Sequence, residues 1–183
     1  MKAKFYLLAA LLGGIVIFIW SAFSHMAIPG WGSVMHPIPN EPAVVDAMKS
    51  SGVQNGMYYG MSGIFLVTFF GQGMNDGVSM APLMMMEFVS DALVAFVLAW
   101  LLARANARGI RRLAFFAVMV GLAGWLNVNL SYWIWYHFSF GYILLEALDQ
   151  IVGVFLAGLL IGRLIKGERA SIILEPTSAR IVA

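Results

Sequence analysis

The 183-residue chain is 61% hydrophobic and only 11% charged, with a formal net charge of +2 and no cysteine. A soluble domain carries roughly 25% charged residues, so the apolar excess here is more than one small core can bury, and lipid must solvate part of it. The lack of cysteine excludes disulfides, thiolate metal sites, iron–sulfur clusters and cysteine nucleophiles, and no Lys/Arg run interleaved with aromatics points to a nucleic-acid partner.

The first apolar run, Phe5 to Ile28, follows Lys2 and Lys4. Signal-peptide apolar regions are roughly 7–15 residues long, so this longer run reads as a retained membrane span. An outer segment, residues 29–79, comes next and opens on Pro29, Gly30, Gly32, Pro37 and Pro39. Asn40-Glu41-Pro42 reads as a helix start, with Val44, Val45 and Met48 forming one apolar face through about Ser50. Residues 57–70 are apolar and partly β-branched or aromatic, broken by Gly60 and Gly63. A β-hairpin over the membrane domain and a segment lying in the interface both fit, because residues 64–70 are too short to span.

The second span is expected over residues 80–103, with Pro82 in its first turn, the third over 113–136 and the fourth over 141–165. Each has the ~20 residues that cross ~30 Å of hydrocarbon. Residues 166–183 form a tail. The expected fold is one all-α integral membrane domain, an up-down antiparallel bundle of four transmembrane helices with a structured outer loop between the first two. Small residues suited to close helix contact recur at Gly13, Gly14, Gly121, Gly124, Gly158 and Gly162.

Lys2 and Lys4 precede the first span, Arg104, Arg108, Arg111 and Arg112 fill the link between the second and third, and Arg163, Lys166, Arg169 and Arg180 follow the fourth. The positive-inside rule then makes both termini and the Arg-rich link cytoplasmic. Trp20, Trp31, Tyr132, Trp133, Trp135 and Tyr136 fall at the outer interface, where amphipathic rings prefer to sit. Small size and the absence of cysteine suit a bacterial inner membrane. The layout of a long first outer loop, a tight inner link and a short second outer loop resembles that of claudin-like four-helix proteins. The Trp and Cys signature of that first loop is absent, so the likeness implies no function.

Ionisable residues within spans are costly and usually face the bundle interior. Here they are Glu87 and Asp91, four apart on one helix face, and Glu146 and Asp149 beside Gln150. Asn127 and Asn129 on the third span and Ser21 on the first join them. A rise of 1.5 Å per residue puts all of these ~8–15 Å below the outer helix ends, in one polar layer, while the inner half of each span is almost purely apolar. Four carboxylates with no Lys or Arg cannot all remain bare anions at that depth; some are protonated, paired with His, or neutralised by a bound cation. Three readings follow: hydrogen-bonding glue between helices, a site open to the outer face that takes a cation or cationic group, or a proton relay within a larger assembly.

His25 and His137 are expected at the same outer level, where two His with a carboxylate would make an acceptable shell for zinc, iron or manganese. No Glu-x-x-His of the di-iron bundle type occurs, and a cofactor is not required by any motif. Ten of the twelve methionines lie between Met26 and Met86, which fits Cu(I) capture or an adaptable apolar surface for a partner protein. Phosphate-cradling glycine loops, HExxH and GxSxG are missing. The first expectation is therefore non-enzymatic: an accessory subunit that meets protein partners, or further copies of itself, through Met57, Met61, Phe65, Phe69, Phe70, Trp133 and Trp135. The rival is a cation- or metal-binding protein that uses the polar layer.

Overall fold

A computed structural model describes residues 3–60, 66–69, 80–107 and 109–174 of the chain. Within them lie six helices and two strands: α1 (Ala3–Ala27), α2 (Trp31–Val34), α3 (Glu41–Ser50), β1 (Gly56–Tyr59), β2 (Leu66–Phe69), α4 (Met80–Arg104), α5 (Ile110–Tyr136) and α6 (Phe140–Leu174). Four of the helices, α1, α4, α5 and α6, are long and apolar enough to cross a membrane. They follow the four apolar runs of the sequence, because a run of that length has no other favourable solvent. α6 continues past the expected end at residue 165, since Lys166, Glu168 and Arg169 are good helix formers that need no lipid.

The links explain how the long helices are joined. Between α4 and α5, Asn106 and Gly109 take φ of 48° and 78°. α5 ends at His137, which adopts φ 54°, and both the His137 and Phe138 N–H groups donate to the Tyr132 carbonyl. Asn40 is the N-cap of α3, as the sequence suggests, but it lies in the left-handed region and makes no side-chain cap bond; Pro42 sits in the first turn. β1 and β2 pair antiparallel, with Gly56 opposite Phe69 and Tyr59 opposite Leu66.

α1 packs against α4 on one side and α6 on the other, and α5 packs along α6, whereas α4 and α5 touch only sparingly. Apolar side chains gain little from leaving lipid for a helix interface, so close backbone approach has to hold such helices together. A Cβ built on Gly14 would lie 2.8 Å from Ala92 Cα, and one on Gly121 would lie 2.9 Å from Ile151 Cα. The buried core of Phe5, Ala9, Leu98, Leu102, Ala117 and Ile161 occupies the half of the helices that carries the chain termini. The opposite half, which adjoins residues 28–60 and 137–139, holds fewer of the described buried apolar residues, Trp31 and Ile143 among them.

Candidate functional site

In that loop half, a cleft of ≈ 980 Å³ is lined by all four long helices. Helical spacing selects its walls. Met80, Met84, Glu87, Asp91 and Val94 form one stripe of α4, and Glu146, Asp149, Gln150 and Val154 one stripe of α6. α1 contributes Ile17, Ser21 and His25, each one turn from the next, and α5 contributes Val120, Gly121 and Gly124. Every expected carboxylate of the polar layer, with Ser21, Gln150 and His25, therefore borders a single space.

Three expected members do not. Asn127 is exposed, Asn129 is buried with its Nδ2 lacking a hydrogen bond, and His137 is an exposed cap residue; none of them lines the cleft. Residues two apart on a helix point about 200° away from each other, so Asn127 and Asn129 share a depth but not a face. Among the described residues no group of three His, Asp or Glu side chains is placed to hold a metal ion.

The polar contacts inside the cleft are few and directional. Ser21 donates its hydroxyl hydrogen to Asp149 Oδ2 at 3.2 Å. His25 Nδ1 lies 2.9 Å from the Ser21 carbonyl, which can only accept, so Nδ1 carries a hydrogen. That assignment leaves the Ser21 hydroxyl proton free for Asp149, and His25 Nδ1 then stands 4.0 Å from Asp149 Oδ1. Gln150 Nε2 donates to Glu146 Oε2 at 3.1 Å within the same helix. Ser21–Asp149 thus ties α1 to α6 by a side-chain hydrogen bond.

Asp91 and Asp149 are each only 8% exposed, yet Asp91 Oδ2 and Asp149 Oδ1 have no hydrogen-bond partner among the described residues. Glu87, by contrast, is exposed at the cleft's rim. Leaving a buried polar atom unpartnered costs about 1–3 kcal/mol, whereas a made hydrogen bond is net stabilising, so these two atoms are the anomalies of the site.

Two tryptophans that composition assigns to the interface have structural tasks as well. Trp20 donates its indole N–H to the Asp149 carbonyl at 3.0 Å, and Gly153 leaves room for that ring. Trp31 is buried, donates to the Ser24 carbonyl at 3.1 Å and stacks on His25 with ring centroids 4.1 Å apart. Together they fix α1 against α6 and hold the imidazole over the cleft mouth. No local sequence signal marks these pairings, which join residues up to 129 positions apart.

Of the expected partner surface, Met57, Trp133 and Trp135 are exposed. Phe69 belongs to β2, while Met61, Phe65 and Phe70 lie outside the described residues.

The chain matches no family model, and no curated protein or solved structure matches it either. The geometry of the cleft has to carry the functional reading.

Proposed function

We propose that this is a multi-pass membrane protein that binds a cationic group in the cleft between α4 and α5. The observation that carries the reading is the pair of buried carboxylates, Asp91 and Asp149, which line one cavity and each have an oxygen without a hydrogen-bond partner among the described residues. If the acids were only glue, their carboxyls would be expected to bond across helices, and Asp91 Oδ2 bonds to nothing described. A cationic group in the cleft would offset the charge of the two carboxylates. The chain offers no Lys or Arg for that task, because residues 50–103 and 113–162 contain none, and the nearby His25 stands 4.0 Å from Asp149 Oδ1.

In this proposal the four long helices form an up-down antiparallel bundle with both termini cytoplasmic and the cleft in the outer half. Ten of the eleven Lys and Arg fall at positions 2–4, 104–112 and 163–180 of the sequence, and seven of the nine Asp and Glu at positions 41–149. The first asymmetry supports the orientation and the second favours cations at the outer face. A chain without cysteine makes single introduced cysteines clean reporters: Ser51→Cys is expected to react with an impermeant maleimide on intact cells, and Gly167→Cys only after lysis. The reverse pattern would invert the topology.

Binding is tested on protein in zwitterionic lipid nanodiscs with radiolabelled butyltrimethylammonium, after subtraction of empty discs. Saturable retention is expected, reduced at least tenfold by Asp91→Asn or Asp149→Asn, with both variants still folded. Equal retention by wild type and both variants would sink the reading.

A second reading, an accessory subunit or a self-associating one, is favoured by Met57 and Tyr59, which are 72% and 82% exposed on a strand outside the four long helices. It expects stoichiometric partners, or further copies of the chain, after extraction in mild detergent, lost in Met57→Ser/Tyr59→Ser. A monomer free of other subunits would count against it.

A further inference from the structure

We propose that the cleft's ligand is a single-chain amphiphile with an amine or quaternary ammonium head and no phosphate, and that it enters sideways from the lipid between α4 and α5. This rests on the reading of the cleft as a cation site and supplies the other half of the ligand.

The cleft has two levels. Helical rise places the collar of Glu87, Asp91, Glu146 and Asp149 about 9–16 Å below the loop ends of their helices. Its floor is apolar: Leu93, Val94, Val97, Val120 and Val154 line the same space at about 20–26 Å. A metal ion or a small amine would occupy only the collar and leave that floor facing nothing. A hydrocarbon chain under a charged head fills both levels. The head lies towards the loop end and the chain towards mid-membrane, which is the orientation of any lipid in that leaflet, so entry needs no inversion of the molecule.

The lateral opening follows from the walls. Leu93 and Val97 line the cleft and are also 62% and 48% exposed, so they stand at a lip between the cavity and the surrounding lipid. The facing wall on α5 has no side chain at Gly121 or Gly124. Gly121 is pressed against the α6 backbone, but a Cβ at Gly124 would meet only Gln150 Oε1, at 3.9 Å. Gly124 therefore keeps the slot open and is not needed for helix contact.

Charge and size narrow the class. A phosphate in the collar would sit among four carboxylates with no Lys or Arg to pair with, which argues against a phospholipid head. The volume of ≈ 980 Å³ lies at the upper end of the ~300–1,000 Å³ range of small-molecule pockets, which suits one chain and its head.

The test uses the full chain in zwitterionic nanodiscs and a series of alkyltrimethylammonium probes with butyl, octyl and dodecyl chains, each corrected for partition into empty discs. Protein-dependent affinity is expected to rise at least tenfold from butyl to dodecyl. Gly124→Leu is expected to cut dodecyl affinity at least tenfold, and butyl affinity by less. Leu93→Trp at the lip provides a second obstruction if the first variant does not fold. Equal affinity for butyl and dodecyl probes would overturn the amphiphile while leaving the cation site standing. No retention of any probe would remove the cation site itself, and this inference with it. Dodecanol bound as tightly as the dodecyl cation, or lysophosphatidylethanolamine competing as well as dodecylamine, would overturn the assigned head group.

Discussion

Replacing Asp91 with Leu is expected to stabilise the protein by about 1–3 kcal/mol while abolishing cation binding. Asp91 is 8% exposed, its Oδ2 has no hydrogen-bond partner among the described residues, and it borders the same space as Glu87 and Asp149. In the unliganded protein its Oδ2 is therefore an unsatisfied polar atom beside other acids. A site residue of this kind is kept at a cost in stability. The glue reading requires the opposite sign, since removing a carboxyl that bonds across helices weakens the bundle. Thermal unfolding of Asp91→Leu beside wild type, both without ligand, separates the two: a lower midpoint for the variant would make Asp91 a structural bond and not a binding group.

Gly14→Leu is expected to lose about 3 kcal/mol or more, enough to leave little folded protein in detergent. Its Cβ would lie 2.8 Å from Ala92 Cα and 2.9 Å from Ala92 N, and backbone atoms within a helix cannot rotate aside as a side chain would. α1 would have to move off α4, and with it Ser21 and His25, so one wall of the cleft would shift as well. Gly124→Leu, where the nearest atom is a side-chain oxygen at 3.9 Å, serves as the control and is expected to fold. Wild-type unfolding behaviour in Gly14→Leu would show that the contact between α1 and α4 is looser than this geometry requires.

The contrast between these glycines shows what could and could not be read from the sequence. Four apolar runs announce four candidate membrane-spanning helices because the solvent requirement is local and one-dimensional. Depth is one-dimensional too, and helical rise puts Glu87, Asp91, Glu146, Asp149 and Ser21 at one level before any packing is known. Azimuth is different, because it depends on which neighbour a helix leans against. Asn127 and Asn129 share the level of the acids, yet one is exposed and the other buried, and neither meets the cleft. Gly121 and Gly124 sit on one face of α5, yet the first is clasped by α6 and the second opens onto the cavity.

Other features depend on partners far away in the chain. Trp20 and Trp31 have the composition of interface anchors, but their indoles are turned onto the carbonyls of Asp149 and Ser24. His137 has the depth of His25, but as a left-handed cap it ends a helix and stays exposed. The pairing of β1 with β2 is not legible in residues 57–70, whose apolar run has neither a two-residue nor a 3.6-residue period to choose between strand and helix. Even the empty wall of the cleft is invisible, since a glycine that keeps a slot open and one that permits close packing are the same letter.

The most direct measurement is the binding of a labelled alkyltrimethylammonium probe to wild type and to the Asp91→Asn/Asp149→Asn double variant, in matched nanodiscs at one pH. Saturable binding to wild type and at least a tenfold loss in a double variant that still unfolds cooperatively is the expected result. Identical binding to both proteins would contradict it and would return the carboxylates of the loop half to a purely structural role.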